Sequence, residues 1–187
     1  MVAKVSVPAE HPVKVMPFAR AHGIVLAVGY YIRAFCTEGE PSPLRPVLAY
    51  AAERGVPLAL DPPAGESSLD DGGWGQIGIV YKDHKLPILL EVNRDGREDE
   101  SLMREEIEEF IELLEDTPNK RNRRRVEKHL RSTRFIIAAQ LPTADIDDDG
   151  YAALGHVLTY FVDNNGAMIQ ADGKGFYEGQ KVIVELE

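Results

Sequence analysis

Residues 73–80 read Gly73-Trp74-Gly75-Gln76-Ile77-Gly78-Ile79-Val80, a literal G-x-G-x-x-G-x-V. In a dinucleotide fold such glycines follow a strand and open a helix, so that helix amides meet a pyrophosphate. Here they follow a loop and enter a strand pattern. A kinase loop does lie in a hairpin, but a kinase also needs V-A-I-K, H-R-D and D-F-G, none of which occurs. The glycines therefore read as an eased entry from loop to strand. Asp145-Ile146-Asp147-Asp148-Asp149-Gly150 matches the first half of a calcium loop. The twelfth position, which should supply a bidentate glutamate, is His156, and Pro142 argues against an entering helix. The run reads instead as acids capping the next helix at its positive end. Cys36 has no histidine placed beside it by sequence, and a lone buried thiol is inert packing. His11, His22, His84, His129 and His156 show no ligand spacing, and no G-x-S-x-G elbow is present. These patterns assign no catalytic residue, and no metal or cofactor is expected.

Charge is distributed in blocks. The 187 residues carry a net charge of -10, yet residues 98–116 carry -9 and residues 119–134 carry +7. Lys120, Arg121, Arg123, Arg124, Arg125, Lys128, Arg131 and Arg134 make the basic block, with Glu127 its only acid. One reading is an RNA- or phosphate-binding helix. The preferred reading is structural: two helices about the Thr117-Pro118 corner lie antiparallel, acid against base. Each exposed pair would contribute only ~0.2–1 kcal/mol, so their joint field would set the packing direction. The overall acidity disfavours nucleic acid as a partner.

The elements that must position these groups are legible from periodicity. Residues 1–22 read as an irregular arm with three prolines, opened by a short strand. Gly23–Phe35 is rich in β-branched and aromatic residues and reads as a buried strand, although Ile24, Val28, Tyr31 and Phe35 also fit helical spacing. Ser42 as cap, Pro43 at the first position and Gly55 at the exit frame a helix over 42–54. Val56–Leu60 follows as a strand, giving a βαβ-like unit. Residues 61–75 form a long loop, of the kind that is functional or disordered. Trp74 at its end is either a recognition surface or, as preferred, folded back onto the core edge.

Gln76–Tyr81 and Leu86–Val92 read as a hairpin, with Pro87 placing the second strand's start at a sheet edge. Asn93–Gly96 reads as a turn. Met103, Ile107, Phe110, Ile111 and Leu114 mark a helix over 100–115. A second, polar helix follows from an Asn119 cap to Arg131, with Val126 and Leu130 for burial. Phe135–Ala139 reads as a central strand. Tyr151–Val162 reads as an amphipathic helix closed by Asn164-Asn165-Gly166, and 167–171 and 181–186 as strands.

The stretch Gly166-Ala167-Met168-Ile169-Gln170-Ala171-Asp172-Gly173-Lys174-Gly175-Phe176-Tyr177 resembles the ends of some uncharacterised bacterial α+β proteins. The resemblance implies a bacterial source and carries no activity. Physically the segment reads as strand, Asp172-Gly173 turn and aromatic anchor.

These readings predict one α+β domain over 1–187. Its mixed, largely antiparallel sheet of six to eight strands is covered by three amphipathic helices, with one charged outer helix in the pair spanning 99–131. No run reaches the ~18 apolar residues of a membrane helix, and the expected compartment is the cytoplasm. The leading functional expectation is a non-catalytic protein-interaction module that binds a basic partner, as toxin-neutralising immunity proteins do. Trp74, Arg121, Arg124 and Arg125 are its candidate partner-binding residues. The alternatives are a small enzyme with a site near the 61–75 loop, and RNA binding through the 120–134 cluster.

Overall fold

The computed structural model describes residues 30–65, 67–94 and 100–186. The 1–22 arm, the first seven residues of the 23–35 strand, residues 95–96 of the expected 93–96 turn and the start of the helical pair at 99 lie outside them. The described residues build eight strands: β1 (Tyr30–Cys36), β2 (Ala59–Asp61), β3 (Gln76–Val80), β4 (Ile88–Arg94), β5 (Phe135–Leu141), β6 (Met168–Ala171), β7 (Gly175–Glu178) and β8 (Lys181–Glu185). Four helices accompany them: α1 (Leu44–Ala52), α2 (Glu100–Leu113), α3 (Lys120–Arg131) and α4 (Asp148–Asn165). The strands form one sheet in the order β2-β3-β4-β5-β1-β6-β7-β8, and every neighbouring pair is antiparallel. The fold is α+β.

Strand alternation explains the two cores. Ile32, Ala34 and Cys36 of β1, with Phe135, Ile137 and Ala139 of β5, pack under α1 and α4. Phe35 and Ile136 point the other way, against α2 and α3. With helices on both faces the two central strands read as nearly continuous apolar runs, which is why they stood out in the sequence. Cys36 is buried, and desolvation raises its thiol well above the ordinary range, which disfavours the nucleophilic thiolate.

The caps follow mostly from residue type. Asn119 accepts from the Asn122 amide at 3.1 Å, and Asp147 from the Gly150 amide at 3.2 Å. Gly166 ends α4 with a left-handed φ of 57°. At Gly175, with φ 117°, an added Cβ would lie 2.0 Å from the Val184 carbonyl oxygen, so the β7–β8 approach needs glycine there.

Several elements depart from expectation. Ser42 does not cap α1. Pro43 holds the cap position without a side-chain bond, and Ser42 Oγ instead reaches Asn165 at 3.3 Å. β2 shrinks to three residues because it pairs only with β3 at the sheet margin. The antiparallel chain of pairs makes β1 and β2 co-directional, but three strands separate them. β4 is interior, with Pro87 lying just before it, and it continues through Asn93 and Arg94, which pair with Ile136 and Phe135. Gly175–Glu178 is a strand rather than only an anchor, because Asp172-Gly173 turns the chain into a hairpin with β6.

One charged group sits where the pattern calls for an apolar one. Arg33 of β1 is 7% exposed. Its Nε donates to Glu106 of α2 at 2.5 Å, and its Nη1 donates to Asp172 at 2.6 Å and Gln170 at 2.9 Å. Its guanidinium lies 5.1 Å from the Tyr31 ring centroid and 5.5 Å from that of Phe110. Burial opposes its charge, but Glu106 and Asp172 outweigh that and keep it ionised. Glu106 is pushed upward by burial, partly offset by Arg33. One guanidinium serves two carboxylates, which is consistent with that direction. Removing one partner of a buried pair costs about 3–5 kcal/mol, whereas replacing both with apolar groups is often neutral. Glu106→Ala should therefore lose about that much in chemical denaturation, and Arg33→Met/Glu106→Leu should recover at least half. Equal losses in the single and double variants would contradict the pairing.

Candidate functional site

Burial sets how α2 and α3 are turned. Met103, Ile107 and Phe110 of the first, with Leu114 just past its end, and Val126 and Leu130 of the second, all enter the core. Burying one such side chain gains about 1.5–3 kcal/mol, against ~0.2–1 kcal/mol for an exposed ion pair. Apolar burial therefore wins, and the charges point wherever the helical period leaves them.

For α2 the period leaves a stripe at Leu102, Glu105, Glu109 and Glu112, opposite the buried face, and Asp116 follows in the turn just past the helix. All five are exposed. Leu102 is 43% exposed, and Leu113 beside the stripe is 36% exposed. Among the described residues none of these four carboxylates has a hydrogen-bond or ion-pair partner. For α3 the corresponding outward stripe is Arg121, Arg124 and Lys128, also exposed and unpaired among the described residues.

The expected acid-to-base zipper between the helices is thus mostly absent. Arg131 reaches Glu108 at 3.5 Å and Glu127 of its own helix at 3.2 Å. Arg123 donates to the Glu115 carbonyl at 2.9 Å, near the C-terminal end of α2. The other basic groups turn elsewhere. Arg125 forms a two-pronged pair with Glu178, one prong at 2.7 Å, and Arg134 meets Glu40 at 2.7 Å.

The candidate residues are therefore not brought together. Arg121 and Arg124 share the free stripe, while Arg125 is committed to Glu178. Trp74 packs at the edge of the core on the other face of the sheet, and its Nε1 donates to the Ser42 carbonyl at 3.0 Å. The 61–75 loop is tied to α1 through Arg45 and Asp70 at 2.6 Å. Gly73–Val80 enters β3 directly, without a helix.

The aspartate run is engaged by protein. Lys82 reaches Asp149 at 3.0 Å, and Asp145 accepts from the Leu86 amide at 2.7 Å. Among the described residues no group of three His, Cys, Asp or Glu is placed to hold a metal ion, and no helix is long and apolar enough to cross a membrane.

Sequence reading missed Arg33, Glu106, Gln170 and Asp172. A signal existed. Arg33 interrupts an apolar strand, Glu106 sits at the edge of an apolar helical stripe, and the two interruptions have opposite charge.

No family model, curated protein or solved structure matches this chain.

His129 helps fix the orientation of α3. Its Nε2 lies 2.7 Å from the Phe35 carbonyl, which can only accept, so Nε2 carries the proton. Burial lowers its pKa, with the Arg125 charge adding to that and the Phe35 carbonyl opposing it. The folded state thus binds fewer protons than the unfolded chain, whose histidine titrates near about 6.5. Stability present above that value is lost as pH falls through the depressed one. His129→Gln should show a smaller loss of denaturation free energy between about pH 7 and pH 5. His156, lowered by burial and by Arg54, keeps part of the slope. An unchanged slope in the variant would contradict a neutral His129.

Proposed function

We propose that this chain is a non-catalytic binding module whose outward α2 stripe engages a basic protein surface. The observation that carries this reading is four exposed carboxylates with no partner among the described residues, set around two exposed leucines. Interfaces combine apolar contact with a polar rim, and complementary charge supplies steering and specificity. A carboxylate face of this kind suits lysine- and arginine-rich partners, and an immunity-type pairing with a cationic protein is one concrete form. The net charge of -10 supports the same choice, because it repels acidic partners at long range.

A second reading rests on Arg121, Arg124 and Lys128. Three unpaired cations on one helix face could hold RNA phosphates, and binding would then fall steeply with salt.

Affinity capture with the wild type and two variants separates the readings. Glu105→Lys/Glu109→Lys/Glu112→Lys should lose the specific partner by about tenfold or more, the equivalent of 1.4 kcal/mol. Arg121→Glu/Arg124→Glu should retain it. Loss only in the arginine variant, or no specific partner at modest salt, would overturn the proposal.

A further inference from the structure

One end of the sheet gathers cations from separate elements. β4 ends at Arg94, which pairs with Phe135, and Phe135 pairs with Cys36 at the end of β1. Antiparallel pairing therefore brings three segments to this end: the last residue of β4, the residues before β5 and the residues after β1. Arg94 and Arg134 come from the first two, and Glu40 from the third. Arg104, next to the buried Met103 of α2, adds a fourth element. With Thr133 these residues line a pocket of about 290 Å³.

What the pocket offers is positive charge and N–H donors. Among the described residues that line it, three are arginines and one, Glu40, is an acid. Its main-chain frame is fixed. The Arg134 amide donates to the Cys36 carbonyl at 2.8 Å, and the hydroxyl of the buried Thr133 donates to the His129 carbonyl at 3.3 Å. The Arg94 and Arg134 side chains are less committed. A guanidinium has five N–H donors. Arg134 gives one to Glu40 at 2.7 Å, and Arg94 gives one to the Gly72 carbonyl at 3.4 Å, a long bond. The Arg134 and Glu40 side chains are 54% and 76% exposed. An exposed pair of this kind contributes little, so Glu40 yields readily to a stronger anion.

Shape and charge select that anion. Guanidinium forks suit carboxylates and phosphates alike. A carboxylate is planar, with two oxygens and one charge. A phosphate monoester presents three acceptor oxygens and close to two charges at neutral pH. Three guanidiniums on different elements, opposed by one carboxylate among the described lining residues, suit the second better. The volume lies just under the ~300–1,000 Å³ of pockets that enclose a whole small molecule, so the phosphoryl group fits and its substituent stays outside. The net charge of -10 opposes a long polyanion, which favours a small phosphate.

We propose that this pocket binds the dianionic phosphoryl group of a small phosphate, as a monoester or as the free ion, through Arg94, Arg104 and Arg134, with Glu40 displaced from Arg134. The site shares no residue with the α2 stripe, goes beyond that reading and stands or falls separately from it.

NMR and calorimetric titration of the full chain, at constant ionic strength and well above the second phosphate pKa of about 6, tests it with three benzene probes. Phenyl phosphate carries two charges on three oxygens, benzenesulfonate one charge on three, and benzoate one charge on two. Phenyl phosphate should bind saturably and shift the amides of Arg94, Arg104 and Arg134, and the other two should bind weaker by about tenfold or more. Arg94→Gln/Arg134→Gln should weaken phenyl phosphate by about tenfold or more. Glu40→Gln removes the competing carboxylate and should tighten it, by up to about fivefold. Inorganic phosphate separates the two sources: tighter binding of phenyl phosphate assigns the ester, the reverse order assigns the free ion, and both support the site. The proposal is overturned if phenyl phosphate does not saturate, if benzenesulfonate or benzoate binds as tightly, or if the folded arginine variant binds it unchanged. Weaker or unchanged binding in Glu40→Gln overturns it as well, and decides the matter if the arginine variant does not fold.

Discussion

The arrangement of the described chain depends on one buried cation. Arg33 lies near the middle of β1, a central strand, where an unpaired charge would be prohibitive. It is tolerated because Glu106 comes from α2 and Asp172 from the end of β6, with Gln170 completing the set. This requirement fixes three separate segments at once: the strand that supplies the charge, the helix that must cover it, and the β6–β7 turn that must reach back. Asp172 also accepts from the Tyr31 amide at 3.0 Å, so the turn is held to β1 by main chain as well. A buried ion pair of this kind adds little net stability, but it penalises wrong registers of α2 severely.

The charged exterior follows from that interior. With Glu106 tied to Arg33 and four apolar residues beside it in the core, α2 has no rotational freedom left. Its remaining acids face solvent, whatever α3 offers. α3 is governed in the same way by Val126, Leu130 and His129. Two helices of opposite charge therefore lie close in the fold, and among the described residues one side-chain ion pair joins them, at 3.5 Å. A pattern of charge along a sequence does not reveal its own partner, because the faces are assigned by the larger burial energies.

This accounts for what was readable in advance. The strands read over 23–35 and 135–139 and the helices read over 100–115 and 151–162 were visible, to within a few residues at their ends, because their apolar spacing is strong. The α3 cap at Asn119 was visible because capping is local. Less was visible where the deciding partner is remote. Ser42 looks like a cap until Asn165 claims it, and Asn93 looks like a turn until β5 pairs with it. Asp172 has the local signature of a turn residue, and its bond to Arg33, 139 residues away, leaves no trace in the neighbouring sequence.

The central claim is that the Arg33–Glu106 pair specifically holds α2 on the sheet. Native-state hydrogen exchange of wild type and Glu106→Gln tests it most directly, since local opening and global unfolding are separable by amide. The amides of Ile107–Leu113 should lose protection in the variant, while those of β1 and β5 keep theirs once global stability is matched. Protection lost equally across α2, β1 and β5 would contradict the claim.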